Sequence, residues 1–284
     1  GLVIFDEVTG APYNSHTLGM ESVGNGEWTL ELSLPAGTVL RYRYVRISPS
    51  YAEETTASRE AVSFRLAFLP ASTVVQDIIA GWTDHGFQGE TGRIIGRVYD
   101  ADTGLPVTEA LAGAAGEHTF TDAMGSFQFD YIAPGLQNLV ITSVDGSYIT
   151  AQQGAVVAEN SLTPAEMTLT PAQKTQVTFE VTLPEDTPPE MPVRIAGSLA
   201  GFGQTFYPLE GGTSTSAVRM PQLVRIDASH AILIADLYEG TDLHYKYSLG
   251  DGLWNAERDA DGFFHLRQAL ITPGLILRDT VETW

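Results

Sequence analysis

Apolar residues in this chain recur at every second position in short runs, and the runs are broken by Gly, Pro, Asn and Asp. Such alternation sends successive side chains to opposite faces of an extended strand, so the pattern predicts β-strands joined by turns. Residues 27–34 place Trp28, Leu30, Leu32 and Leu34 on one face, and Pro35-Ala36-Gly37 turns the chain. Residues 40–46 alternate again, with Arg41 and Arg43 toward water. Further strands are predicted at residues 2–5, 62–68 and 74–79. In the middle of the chain strands are predicted at 94–100, 126–129 and 138–144, with turns at 102–107 and 132–135. Residues 175–183 form the most strongly alternating strand, followed by a Pro-rich link and a strand at 193–197. Residues 243–268 predict a hairpin with Trp254 in its loop. Two readings of that Trp stay open: folded back onto the end of a sandwich, or presented as a flat stacking surface.

The two ends of the chain repeat each other. Residues 36–44 match 239–247 at an offset of 203, pairing Gly37 with Gly240, Tyr42 with Tyr245 and Tyr44 with Tyr247. Residues 75–82 match 277–284 at an offset of 202. A different module lies between the copies, which is not the arrangement of a solenoid. Residues 3–5 correspond to the start of 193–197, so the first copy has no counterpart of the strand at 175–183. A sandwich short of one strand exposes unpaired backbone groups. Either the polypeptide extends upstream, or another chain supplies the strand. The joining edge is expected at Leu2, Val3, Ile4 and Phe5.

The expected architecture is therefore all-β: three tandem immunoglobulin-like antiparallel β-sandwich domains. Their spans are 1–88 (lacking its first strand), 89–171 and 172–284, with short linkers near 86–92 and 171–174. A length of 284 residues suits that number of domains, and 43% apolar residues suffice for packed cores. The net charge of −20 argues against nucleic acid or an anionic membrane surface as the main partner and suits neutral ligands such as polysaccharides. There is no cysteine. No apolar run reaches the roughly 18–20 residues of a bilayer span, so membrane insertion is not expected of this stretch. The first residue is Gly1, which reads as a processed protein or a fragment. An extracellular or cell-surface place in a bacterium is expected.

Several of these residues resemble known families. The outer thirds resemble starch-binding modules of the family-20 carbohydrate-binding type through Leu34-Pro35-Ala36-Gly37-Thr38, the Leu-x-Tyr-x-Tyr segments ending at Tyr44 and Tyr247, and Trp254-Asn255-Ala256-Glu257. The opening of 177–181 and the closing Asp-Thr-Val-x-x-Trp of 279–284 belong to the same resemblance. It implies an immunoglobulin-like sandwich that binds α-glucans without catalysis, using two aromatic platforms. Trp254 matches one platform, and Phe202 at best occupies the other. In the first copy the corresponding places read Tyr51-Ala52 and Gly10-Ala11-Pro12-Tyr13. The middle third resembles the carboxypeptidase regulatory-like, transthyretin-related sandwich through Gly96-x-Val98-x-Asp100, Thr103-Gly104-x-Pro106-Val107, Gly125-x-Phe127-x-Phe129 and Ile132-x-Pro134-Gly135. That resemblance implies a spacer or stabiliser.

Candidate chemistry is sparse. No nucleophile elbow, phosphate loop or zinc motif occurs, and the six histidines are scattered. Glu53-Glu54 and Glu257/Asp259/Asp261 offer carboxylate pairs, as a glycosidase needs, but acidic loops are common in so acidic a chain and no enzyme is expected. Asp100-Ala101-Asp102 and Asp259-Ala260-Asp261 have the oxygen spacing of a Ca²⁺ loop but lack its distal acid, and a hairpin turn explains both equally. No cofactor or metal is expected. Two functions compete. One is a structural surface protein, a subunit of a filament, sheath or surface layer that associates through sheet edges by β-strand complementation. The other is an α-glucan-binding array with Trp254, Phe202 and Tyr247 nearest the sugar and Asn255 and Glu257 hydrogen-bonding its hydroxyls. Degraded aromatic positions in both copies favour the structural reading.

Overall fold

The computed structural model describes residues 1–206 and 214–284, apart from the side chains of residues 11–16 and 214. The chain is all-β. Among the described residues the helices are two single 3₁₀ turns, Ala200–Phe202 and Ala217–Arg219. Its contacts gather into two units. One comprises Gly1–Phe5, Ser15–Ser143 and Tyr148–Pro171; the other comprises Asp6–Asn14, Val144–Ser147 and Ala172–Trp284.

In the first unit a six-stranded sheet runs in the order Ala11–Leu18, Leu2–Asp6, Thr38–Arg46, Ala52–Thr55, Gly81–Trp82, with Arg65–Leu69 also on Thr38–Arg46. Leu2–Asp6 therefore has a strand on each side, and Leu2, Val3 and Phe5 are buried. This corrects the expectation that Leu2, Val3, Ile4 and Phe5 form a joining edge. Their backbone groups are spent on the two neighbours, and a strand already paired on both sides accepts no third.

Residues 92–169 of the same unit form a seven-stranded sandwich. One sheet is ordered Glu117–Phe120, Ala110–Ala114, Gly135–Ser143, Ala151–Val157; the other is Ser126–Ile132, Gly92–Asp100, Leu162–Leu169. Between them lie Ile94, Val98, Phe127, Phe129, Leu139, Ile141 and Leu169, all buried. Leu162–Leu169 pairs with Gly92–Asp100 in parallel, an exception to the antiparallel rule elsewhere in this sandwich. The amide of Asn138 donates to the Leu66 carbonyl at 3.1 Å, and the Phe68 N–H donates to the Gln152 side chain at 2.7 Å. These bonds tie this sandwich to the six-stranded sheet within one unit.

The second unit packs the sheet Val224–Arg225, His230–Tyr238, Lys174–Thr182, Ile276–Thr280 against the sheet Val193–Gly197, Asp242–Leu249, Arg267–Leu270. Lys174–Thr182 lies inside its sheet. It is antiparallel to His230–Tyr238 over nine residue pairs and parallel to Ile276–Thr280. Val177, Phe179 and Val181 point into the core, where Phe179 meets Tyr245 edge-on at 5.5 Å between ring centroids.

The first copy shows what happens without that strand. Its counterparts of Val224–Arg225 and His230–Tyr238 form an isolated hairpin, Glu21–Gly24 with Glu27–Thr29. The strands predicted over 30–34 and 74–79 do not form. Among the described residues, no backbone-to-backbone hydrogen bond holds 30–34 or 73–77. Inward positions that are covered in the complete copy are open here: Ala231 is 1% exposed and Leu237 4%, whereas their counterparts Trp28 and Leu34 are 60% and 37% exposed. Alternation specifies which face a residue takes, but a strand also needs a neighbour to accept its hydrogen bonds.

Candidate functional site

Both copies build the same buried polar cluster. In the second unit, Tyr245 and Tyr247 donate their hydroxyls to Asp279 Oδ2 at 2.9 and 2.8 Å. Arg267 donates to Glu257 at 2.7–3.0 Å, to Asp279 at 3.0 Å and to the Thr280 carbonyl at 2.7 Å. Glu257 also accepts the Tyr247 N–H at 2.9 Å. In the first unit, Tyr42 and Tyr44 donate to Asp77 Oδ2 at 2.5 and 3.0 Å. Arg65 donates to Glu54 at 2.9 Å, to Asp77 at 3.3 Å and to the Ile78 carbonyl at 2.9 Å, and Glu54 accepts the Tyr44 N–H at 2.7 Å. Every member has its twin at the repeat offset of 203 or 202.

The electrostatics of the two clusters agree. Burial, followed by the charge of Asp77 or of Asp279 and the paired Tyr, holds all four tyrosine hydroxyls above their ordinary value, so they stay protonated donors. Burial also opposes the charges of Arg65 and Arg267, but the carboxylates outweigh it and leave both above the ordinary guanidinium value. Burial raises Glu54 despite the opposing pull of Arg65. These clusters use the carboxylates that sequence alone offers as an acid–base pair. Glu54 and Glu257 are closed off from water and each is already engaged by an arginine.

The expected sugar-binding residues separate into two groups. Trp254 is 84% exposed, with its indole against the backbone of Gly252, and Asn255 beside it is exposed too. The other three require correction. Phe202 is buried with its ring 5.9 Å from Phe179, in the core. Tyr247 is fully buried and committed to Asp279, and Glu257 to Arg267. They sit on the inward side of the sheet because the Tyr-x-Tyr alternation faces the core, whereas the resemblance places them near a ligand. In the first copy Tyr51 is exposed, and the side chain of Tyr13 lies outside the described residues.

A second constellation has no sequence signal. Within the second unit the turn after Asp6 is built into the sandwich. The Lys246 ammonium, wholly buried, meets Asp6 Oδ2 at 2.5 Å, and Val8 packs with Ala196 and Met220. Gln204 donates to the Glu7 carbonyl at 2.7 Å, and the Thr215 hydroxyl donates to the Val8 carbonyl. A separation of 240 residues between Asp6 and Lys246 lies beyond any periodicity or motif. The alternation alone gives Lys246 an outward, solvated place.

The acidic turns close on themselves. Asp100 Oδ1 accepts the N–H groups of Asp102 and Thr103, and Asp259 Oδ1 accepts those of Asp261 and Phe263. Among the described residues no group of three or more His, Asp or Glu is placed to hold a metal ion. No described helix is long and apolar enough to cross a membrane.

No protein-family model matches the chain, and no curated protein does. Both family resemblances therefore stand on the motifs quoted above. Among solved structures the chain is similar to the family-15 glucoamylase of Hypocrea jecorina at 20% identity and a TM-score of 0.30, over 41% of this chain and 20% of that one. It is similar to the Bacillus anthracis TIE protein at 11% identity and a TM-score of 0.27, over 99% of this chain and 50% of that one. It is similar to the minor pilin of Streptococcus agalactiae at 8% identity and a TM-score of 0.34, over 68% of this chain and 95% of that one. The chain thus spans a fifth of the first of these proteins and half of the second. Likenesses of this size leave the fold to be read from the strand topology itself.

Proposed function

We propose that this chain is a non-catalytic structural protein of the bacterial cell surface, a subunit of a filament, sheath or surface layer that joins a neighbouring chain by β-strand complementation. The observation that carries this reading is the unfinished sheet of the first copy beside the finished one of the second. Unpaired strand edges are templates for another chain, and main-chain hydrogen bonding along an edge is an established mode of assembly. The twin polar clusters support it as well, because tyrosines, arginines and carboxylates that a binding or catalytic site would present are spent on rigidity inside each sandwich. Sedimentation and electron microscopy test the reading. Polymers or higher oligomers of the secreted protein are expected, and monomers alone across the accessible concentration range would overturn it.

A second reading is favoured by one observation, the exposure of Trp254 with Asn255 on the same loop. A lone exposed indole suits stacking on a sugar face, and the resemblance of residues 254–257 supplies α-glucan as the ligand. With a single ring the affinity is weak, because each aromatic platform contributes only about 1 kcal/mol. Retention on an amylose column that Trp254→Ala abolishes supports this reading; passage without delay removes it.

A further inference from the structure

The unfinished sheet defines its missing member closely. In the second unit the strand that joins the hairpin side to the closing strand is Lys174–Thr182, and its register is complete on both sides. At the repeat offsets, its antiparallel neighbour corresponds to residues 27–35 and its parallel neighbour to 74–78. Both stretches lie extended in the first unit without a partner between them. Leu30 and Val75 line the floor of this slot against the cluster of Leu2, Leu40, Tyr42 and Ala67, while Trp28, Leu32 and Leu34 stand open at its side.

We propose that this slot, and not Leu2–Asp6, accepts a strand of about nine residues from another polypeptide, antiparallel to residues 27–35 and parallel to 74–78. This deepens the structural reading above and rests on it. The chemistry of the donor follows from the occupied twin. Three apolar side chains at alternate positions replace Val177, Phe179 and Val181, the middle one large enough to meet Tyr42 as Phe179 meets Tyr245. The outward face differs. In the twin, Glu180 pairs with Arg278 at 2.9 Å; the counterpart of Arg278 is Gln76, and the same position is flanked diagonally by Glu27 and Glu31. The donor strand therefore carries Lys or Arg there. That charge also distinguishes it from a second copy of this chain, whose net charge is −20 and whose own strand of this kind carries Glu180 inside a finished sheet.

The test adds synthetic peptides to the intact 284-residue chain. The first copies residues 174–183, and a second carries Glu180→Lys. Saturable one-to-one uptake is expected, with a blue shift of Trp28 emission that Trp28→Phe removes, and with slowed amide exchange confined to 28–35 and 74–78. The lysine peptide should bind about two- to fivefold more tightly, since a cross-strand opposite-charge pair contributes roughly 0.2–1 kcal/mol. A peptide with Phe179→Asp should not bind. Failure of both peptides to bind the folded chain, or protection along Ile276–Thr280 instead, overturns the assignment. So does refusal of the peptide by a gene product carrying residues before Gly1, because the donor is then the chain's own. Should polymers still form while the peptides fail, only the slot is wrong and the structural reading stands.

Discussion

Arg267→Met takes the guanidinium out of the second unit's polar cluster and leaves a side chain that fills part of its space. The change removes every arginine contact to Glu257, the bond to Asp279 and the bond to the Thr280 carbonyl. Glu257 is 1% exposed and keeps only the Tyr247 N–H. A carboxylate stranded in that way costs about 3–5 kcal/mol, whereas an exposed pair of the same type contributes only about 0–1 kcal/mol. The two cases are therefore well separated. With an m-value of about 1.5 kcal/mol/M, the urea midpoint of the second unit should fall by about 2–3 M. Removing the stranded charge as well, in Arg267→Met with Glu257→Gln, should return about 1–2 kcal/mol of that loss. Intrinsic fluorescence and far-ultraviolet circular dichroism through the urea transition measure both variants. A loss under about 1 kcal/mol, or a double variant no more stable than the single, refutes the claim that buried charge pairing holds this sandwich. Arg65→Met is the twin experiment in the first unit, with the same expectation.

Three further outcomes are expected. Burial, and then repulsion by Glu60 and Asp130, pushes the Glu117 carboxyl up to about 7. The folded state then holds a proton that the unfolded chain releases, so this contribution to stability is full below about pH 4.5 and is lost as pH rises through 7; the thermal midpoint of the first unit should drop between pH 5 and 8, and an unchanged slope in Glu117→Gln would contradict it. Asp6→Ala leaves the Lys246 ammonium buried without its carboxylate and should destabilise the second unit by about 3 kcal/mol in urea, with Asp6→Asn milder; equal stability of all three proteins would show that the pair contributes nothing. At Gly96 a Cβ would overlap the Phe127 ring and the Ala165 carbonyl, so Gly96→Ala should cost about 1–3 kcal/mol by overpacking, and a chemical-denaturation midpoint unmoved from the parent would show that the site yields.

Much of the fold was legible in the alternation. Residues 175–183, 193–197 and 94–100 became strands because each had both a pattern and a neighbour. The repeat offsets of 203 and 202 found in sequence hold in space, where they superpose five side chains of the polar clusters in kind and in partner. What escaped was everything set by partners distant in the chain. Residues 30–34 and 74–79 alternate well enough, yet they stay outside any sheet for want of the strand between them. Leu2–Phe5 reads as a free edge until Ala11–Leu18 is seen beside it. Phe202, Tyr247 and Glu257 carry functional-looking identities, and only burial shows that they belong to the core. Trp254 alone keeps the exposed place that its loop position gave it.

The turn after Asp6 has a consequence for the order of folding. It leaves the ribosome near the start of synthesis, yet Lys246, its partner, follows 240 residues later. Closing so long a loop is slow, and contacts of high sequence separation form late. At residues added at roughly 5–20 per second, the wait exceeds about ten seconds. The Asp6–Gly10 turn must remain unburied over that time, with Val8 in water, while the sheet that contains Leu2–Phe5 is free to assemble. The second sandwich is therefore the last element to acquire its complete core, and its completion reports that the entire chain has been made.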